Sequence, residues 1–220
     1  MNIDVLFFTN HASSVLAFLP VAIMLWNHKQ LKQRTFGWAI LGYFSVLFLA
    51  GLLNYVSAKL FESIYPVFHI SIFFESYFIF LLFTREYTNI KFKKLAYLFL
   101  ILTLSSEILE FTLKGGFLSD NNFTFPISNL VFMIQYFLYL VDALKNRPTI
   151  IQDPKGSFLI VTATYFYSTS QLFFAIVRED IRFLMVESPN AILIWCLFVW
   201  VYVVYLLISS YFLWKNLRRK

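Results

Sequence analysis

The sequence predicts an all-α, polytopic membrane protein with seven transmembrane helices, its N-terminus outside and its C-terminus cytoplasmic. Three observations carry that expectation. Seven apolar stretches follow one another, each about 18–23 residues long, the length a helix needs to cross roughly 30 Å of hydrocarbon. Only 14% of the residues are charged, against 60% hydrophobic and 21% aromatic, too few charges to clothe a water-facing surface. Basic residues cluster in alternate connections, as they do on the cytoplasmic side of membrane proteins.

The first span is expected at 5–27. It is preceded by Asp4 rather than a positive n-region, which makes it a poor signal peptide, and its first half is polar (Asn10, His11, Ser13, Ser14). The second, 36–57, carries Gly37, Gly42, Ala50 and Gly51, small residues that allow close helix approach, and Asn54 near its far end. Pro66 suits the first turn of the third span, 66–84. The fourth, 95–113, holds Thr103, Ser106, Glu107 and Glu110. A turn-rich connection, GGFLSDNNFTFP, leads to the fifth, 127–144. The sixth is expected at 157–177, and the polar REDIRFLMVESPN reads as a loop before the seventh, 191–214. All seven form one domain with short loops.

Sorting the 18 basic residues by connection gives the orientation. One side holds Lys29, Lys32 and Arg34, then Arg85, Lys91, Lys93 and Lys94, then Lys145, Arg147 and Lys155, and finally Lys215, Arg218, Arg219 and Lys220. The other holds only Lys59, Lys114, Arg178 and Arg182. The net charge of +6 is therefore a topology signal, with attraction to anionic lipid, and not a sign of nucleic-acid binding.

Glu75 is the sharpest functional candidate. It lies nine residues in from Pro66, near the membrane midplane. A carboxylate there costs about 2.5–3.5 kcal/mol on insertion scales, so such residues face a bundle interior and mark ligand or proton sites. The alternative is a neutral carboxyl that ties helices together. His69 lies about 120° around the helix from Glu75, at 100° per residue, so one helix does not aim both at one point. Glu107 and Glu110 share a face of the fourth span, and Glu110 precedes Lys114 by four residues, as in an interfacial ion pair. Ser128, Gln135 and Asp142 share a face of the fifth span. Asp142, beside Lys145 and Arg147, reads as a solvated cytoplasmic aspartate. Thr164, Ser168 and Gln171 share a face of the sixth, where hydroxyls bond their own backbone or bridge helices. If the helices face one another, Asn54, His69, Glu75, Glu107 and Gln171 line a polar cavity open to the outside.

Several activities lack their residues. The last span has no lysine before Lys215 for a retinal Schiff base. Three histidines, with His28 opposite His11 and His69, do not make a membrane zinc site. No GxSxG, HExxH or phosphate-cradling glycine loop is present, and no cofactor or metal is expected. Thr84-Arg85-Glu86-Tyr87 is similar to a receptor element, but the last span lacks its companion Asn-Pro-x-x-Tyr. The one cysteine, Cys196, allows no intramolecular disulfide.

Two stretches, YPVFHISIFFESYFIFLLF (65–83) and FLIVTATYFYSTSQLFFAI (158–176), resemble the third and sixth spans of a family of small, uncharacterised seven-span bacterial inner-membrane proteins. Asn54, Pro66, His69, Glu75, Tyr167 and Ser168 are the matching positions. Ser76 departs from the aromatic or leucine that follows the glutamate there, and Ser157-Phe158 from a common Phe-Trp pair. Members are often encoded near sensor histidine kinases, which implies a signalling role with a kinase partner. The expectation is a non-enzymatic sensory or accessory protein that binds a small ligand, a lipid or protons. The competing readings are a proton-coupled transporter and an intramembrane enzyme acting on lipid.

Overall fold

Apolar runs with every backbone group bonded inside the helix are what the bilayer demands, and they dominate this molecule. The computed structural model describes residues 12–32, 37–61, 63–87, 89–114, 116, 118, 123–146, 156–187 and 189–218. Among these every regular element is helical: α1 (Ala12–Trp26), α2 (His28–Lys32), α3 (Gly37–Phe61), α4 (Tyr65–Glu86), α5 (Ile90–Lys114), α6 (Thr124–Asn146), α7 (Gly156–Glu187) and α8 (Pro189–Arg218).

Six of these, α3 to α8, are long and apolar enough to cross a membrane. The first expected span falls on α1, whose described part is a shorter apolar helix; residues 5–11 of that expectation lie outside the described residues. The chain is thus an integral, multi-pass membrane protein. The outward faces fit lipid: on α5, Leu98, Ile101, Leu102 and Leu109 are exposed, and on α8 Leu197, Val204 and Ile208.

The helices outrun the expected spans at most ends. The largest difference is α7, which continues through the expected loop to Glu187 and reaches 32 residues, about 48 Å. Hydropathy falls at Arg178, but Arg, Glu and Ile are competent helix formers, so the backbone carries on. Pro189 then opens α8 at a position where its missing N–H costs nothing.

Neighbours in space follow a ring. α1 packs on α3, α3 on α4, α4 on α6, α6 on α7, α7 on α8, and α8 back on α1. α5 stands outside this ring and packs on α4 and α6. Glycine makes the α3–α4 seam possible: a Cβ built on Gly42 would lie 2.1 Å from a ring carbon of Phe78. Gly42→Ala should therefore destabilise the protein by about 1–3 kcal/mol through overpacking. Thermal unfolding in detergent checks this, with Phe78→Leu expected to recover part of the loss when combined with Gly42→Ala.

Buried hydroxyls are mostly satisfied within their own helix. Ser76, Thr84, Thr103 and Thr164 each donate to the carbonyl four residues back, at 2.6–3.0 Å.

Candidate functional site

Inside the ring the side chains do not fill the space. A cavity of about 770 Å³ lies toward the end that carries the α3–α4 and α5–α6 connections. Its wall is written in helical spacing. α4 contributes Phe68, Ser71, Ile72 and Glu75, one residue per three or four. α3 contributes Tyr43, Leu47, Gly51 and Asn54; α6 contributes Phe125, Ser128, Asn129 and Phe132. α7 presents Tyr167, Ser168, Gln171, Phe174 and Arg178, and α8 presents Trp195, Phe198 and Tyr202. Ser14 of α1 closes the circle; its Oγ would lie 3.1 Å from a Cβ on Gly51.

Glu75 sits ten residues into α4 from Tyr65, about 15 Å along the axis, at the deep end of the cavity. It has no hydrogen-bond or ion-pair partner among the described residues. What surrounds it is tyrosine. The hydroxyls of Tyr43, Tyr136, Tyr167, Tyr202 and Tyr205 are all within electrostatic range of its carboxyl. Tyr167 and Tyr205 stack with ring centres 4.5 Å apart and planes 6° from parallel, and Tyr202 lies 5.4 Å from Tyr167. Tyr205 Oη is 3.2 Å from Thr164 Oγ1, and Tyr136 lies near Tyr43 and Ser168. One turn further, Phe44, Ile79, Phe83, Val161 and Leu206 are at most 2% exposed and close the bundle.

Two further polar atoms of lining residues have no hydrogen-bond partner among the described residues: Asn54 Oδ1, an acceptor, and Trp195 Nε1, a donor. Each is a buried group for which a missing partner costs about 1–3 kcal/mol. At the mouth, the Arg178 guanidinium lies 5.3 Å from the centre of the Phe125 ring, which packs on Phe68.

Of the residues expected to form the cavity, the structure brings together Asn54, Glu75 and Gln171. His69 and Glu107 lie elsewhere. His69 Nδ1 pairs with Glu107 Oε1 in the α4–α5 seam, where both side chains are buried. The 120° between His69 and Glu75 sends one to α5 and the other to the cavity. Since α5 is outside the ring, no α5 residue lines the cavity.

Two other expectations are corrected. Glu110 does bind Lys114, at 3.1 Å, but it is not an interfacial surface residue. Its side chain is fully buried, and its two oxygens accept the N–H groups of Phe123 and Thr124 at 2.9 and 2.7 Å, capping α6 from α5. Asp142 is 3% exposed rather than solvated, and accepts from Asn146 Nδ2 at 2.8 Å. Its neighbourhood is covered by Tyr87, whose hydroxyl donates to the Gln135 carbonyl at 2.8 Å. Burial, with the Asp142 charge nearby, pushes the Tyr87 phenol well above its ordinary value, so it remains a donor.

Apart from Tyr167, a matching position of the resemblance, the tyrosine floor and Trp195 were not singled out from sequence. A signal existed: tyrosine favours the membrane interfaces, and Tyr43, Tyr136, Tyr167 and Tyr202 stand inside apolar runs instead. No family model matches the sequence, and no curated protein or solved structure is significantly similar to it.

Proposed function

We propose that this is a receptor-like membrane protein, which binds a small molecule in its cavity and passes the bound state to a partner through its cytoplasmic face. The observation that carries this reading is Glu75: an acidic group deep in the ring, without a partner among the described residues, at the base of a space the size of a ligand. Cavities of roughly 300–1,000 Å³ lined by aromatic side chains and a few polar groups are where small molecules bind. The basic connections support a mouth on the outer side and a C-terminus inside. The packed layer beneath Glu75 favours reception over transport, since a permeating solute would need a path through it. The resemblance to proteins encoded beside sensor kinases supports a kinase, in a bacterial inner membrane, as the partner.

The test is native mass spectrometry of wild-type and Glu75→Gln protein extracted gently from the host membrane. The expected result is an adduct of small-molecule mass on the wild type that the variant loses. Identical spectra, with lipid adducts only, would overturn ligand reception.

A further inference from the structure

The chemistry of the cavity narrows the ligand, given that the cavity binds one. We infer that the site takes an organic ammonium ion: a protonated amine or quaternary nitrogen seated at Glu75, with an apolar or aromatic body filling the space above it.

Three features converge on that class. The first is charge. Glu75 supplies an acidic carboxyl that a cation seated beside it would hold ionised, and no basic side chain among the described lining residues reaches its depth. Arg178, the one described cation on the wall, stands at the mouth over Phe125. Phe125 packs on Phe68, seven residues before Glu75 on α4, so the two charges are separated by about 10 Å of helix. A ligand cation supplies the opposite charge that the protein does not, and charge-assisted hydrogen bonds to a carboxylate are among the strong ones. A carboxylate or phosphate seated at the base would find no basic partner there among the described lining residues.

The second is the aromatic floor. Tyr43, Tyr167 and Tyr202 surround the same point, and the faces of such rings attract ammonium groups at distances up to about 6 Å. Carboxylate and aromatic rings together are the two groups that recognise alkylammonium. Among the described residues no three His, Cys, Asp or Glu side chains cluster here.

The third is the upper wall. Phe132, Phe174 and Phe198 are apolar, and between them stand the unpartnered Asn54 Oδ1 and Trp195 Nε1. They offer the ligand body one acceptor and one donor.

The experiment uses three probes of one shape and different charge: 2-phenylethylamine, 3-phenylpropionate and 3-phenylpropanol. Binding to the full-length protein in detergent is read by its unfolding temperature and by ligand-observed NMR. The amine is expected to bind the wild type at least about tenfold more tightly than the other two, and Glu75→Gln to remove that preference. Tyr202→Leu, which leaves the carboxyl in place, should weaken the amine selectively. Equal binding of all three would overturn the ammonium assignment while leaving a ligand cavity standing. Binding of none at millimolar concentration would overturn both. Unchanged amine preference in a folded Glu75→Gln protein would place the cation elsewhere and refute the assignment.

Discussion

His69→Ala is expected to destabilise the protein by about 3–5 kcal/mol, the cost of removing one member of a buried ionisable pair. Among the described residues His69 Nδ1 is the one hydrogen-bond partner of the Glu107 carboxyl, whose Oε2 has none. With the imidazole gone, an acid is left in the α4–α5 seam with neither oxygen bonded. The double variant His69→Leu/Glu107→Leu removes both polar groups and should recover most of the loss, because an apolar pair has no desolvation to offset. Thermal unfolding of the two proteins in the same detergent gives the comparison. A double variant as unstable as the single one would mean that the pair does more than satisfy itself. Neither substitution touches the cavity, so ligand binding by protein that remains folded should be unchanged.

Glu110→Ala should cost about 2–4 kcal/mol, since two backbone N–H groups and Lys114 lose a charged acceptor at once. The loss should be local first. Thr124 also holds α5 through its hydroxyl, 3.1 Å from the Ser106 carbonyl. Amide hydrogen exchange should therefore speed at Phe123 and Thr124 before the rest of α6 is affected. Glu110→Gln keeps one carbonyl oxygen as acceptor and should lose about half as much. Equal exchange in wild type and Glu110→Ala would show that the cap contributes nothing.

The long helices were legible because a bilayer tolerates little else. Eighteen or more apolar residues have one outcome, and small differences in composition do not change it. Their ends were less legible because hydropathy marks where the hydrocarbon stops, and the backbone of α7 does not stop there. The site was legible in part. Glu75 and Gln171 announced themselves as costly or polar groups inside apolar runs, and helical spacing gave the faces they occupy. Which faces meet is a matter of helix arrangement, and the period of a helix carries none of it. His69 and Glu107 were placed at a fitting depth, but nothing in their spacing said that α5 stands outside the ring. Asp142 was misread for a related reason: adjacent lysine and arginine made it look solvated, while the residue that covers its surroundings, Tyr87, comes from another helix.

The stack beneath Glu75 has a mechanical consequence. Tyr167 lies flat on Tyr205, which in turn lies 6.1 Å from Phe44 with planes 21° apart. These three rings belong to α7, α8 and α3, and the last two are buried with at most 3% exposure. Plates packed face to face slide easily but compress poorly. An occupant that presses on Tyr167 thus has no soft material to deform beneath it. On the receptor reading proposed above, its push would emerge as sideways displacement of α3 and α8 relative to α7, toward the halves of those helices that lead away from the mouth.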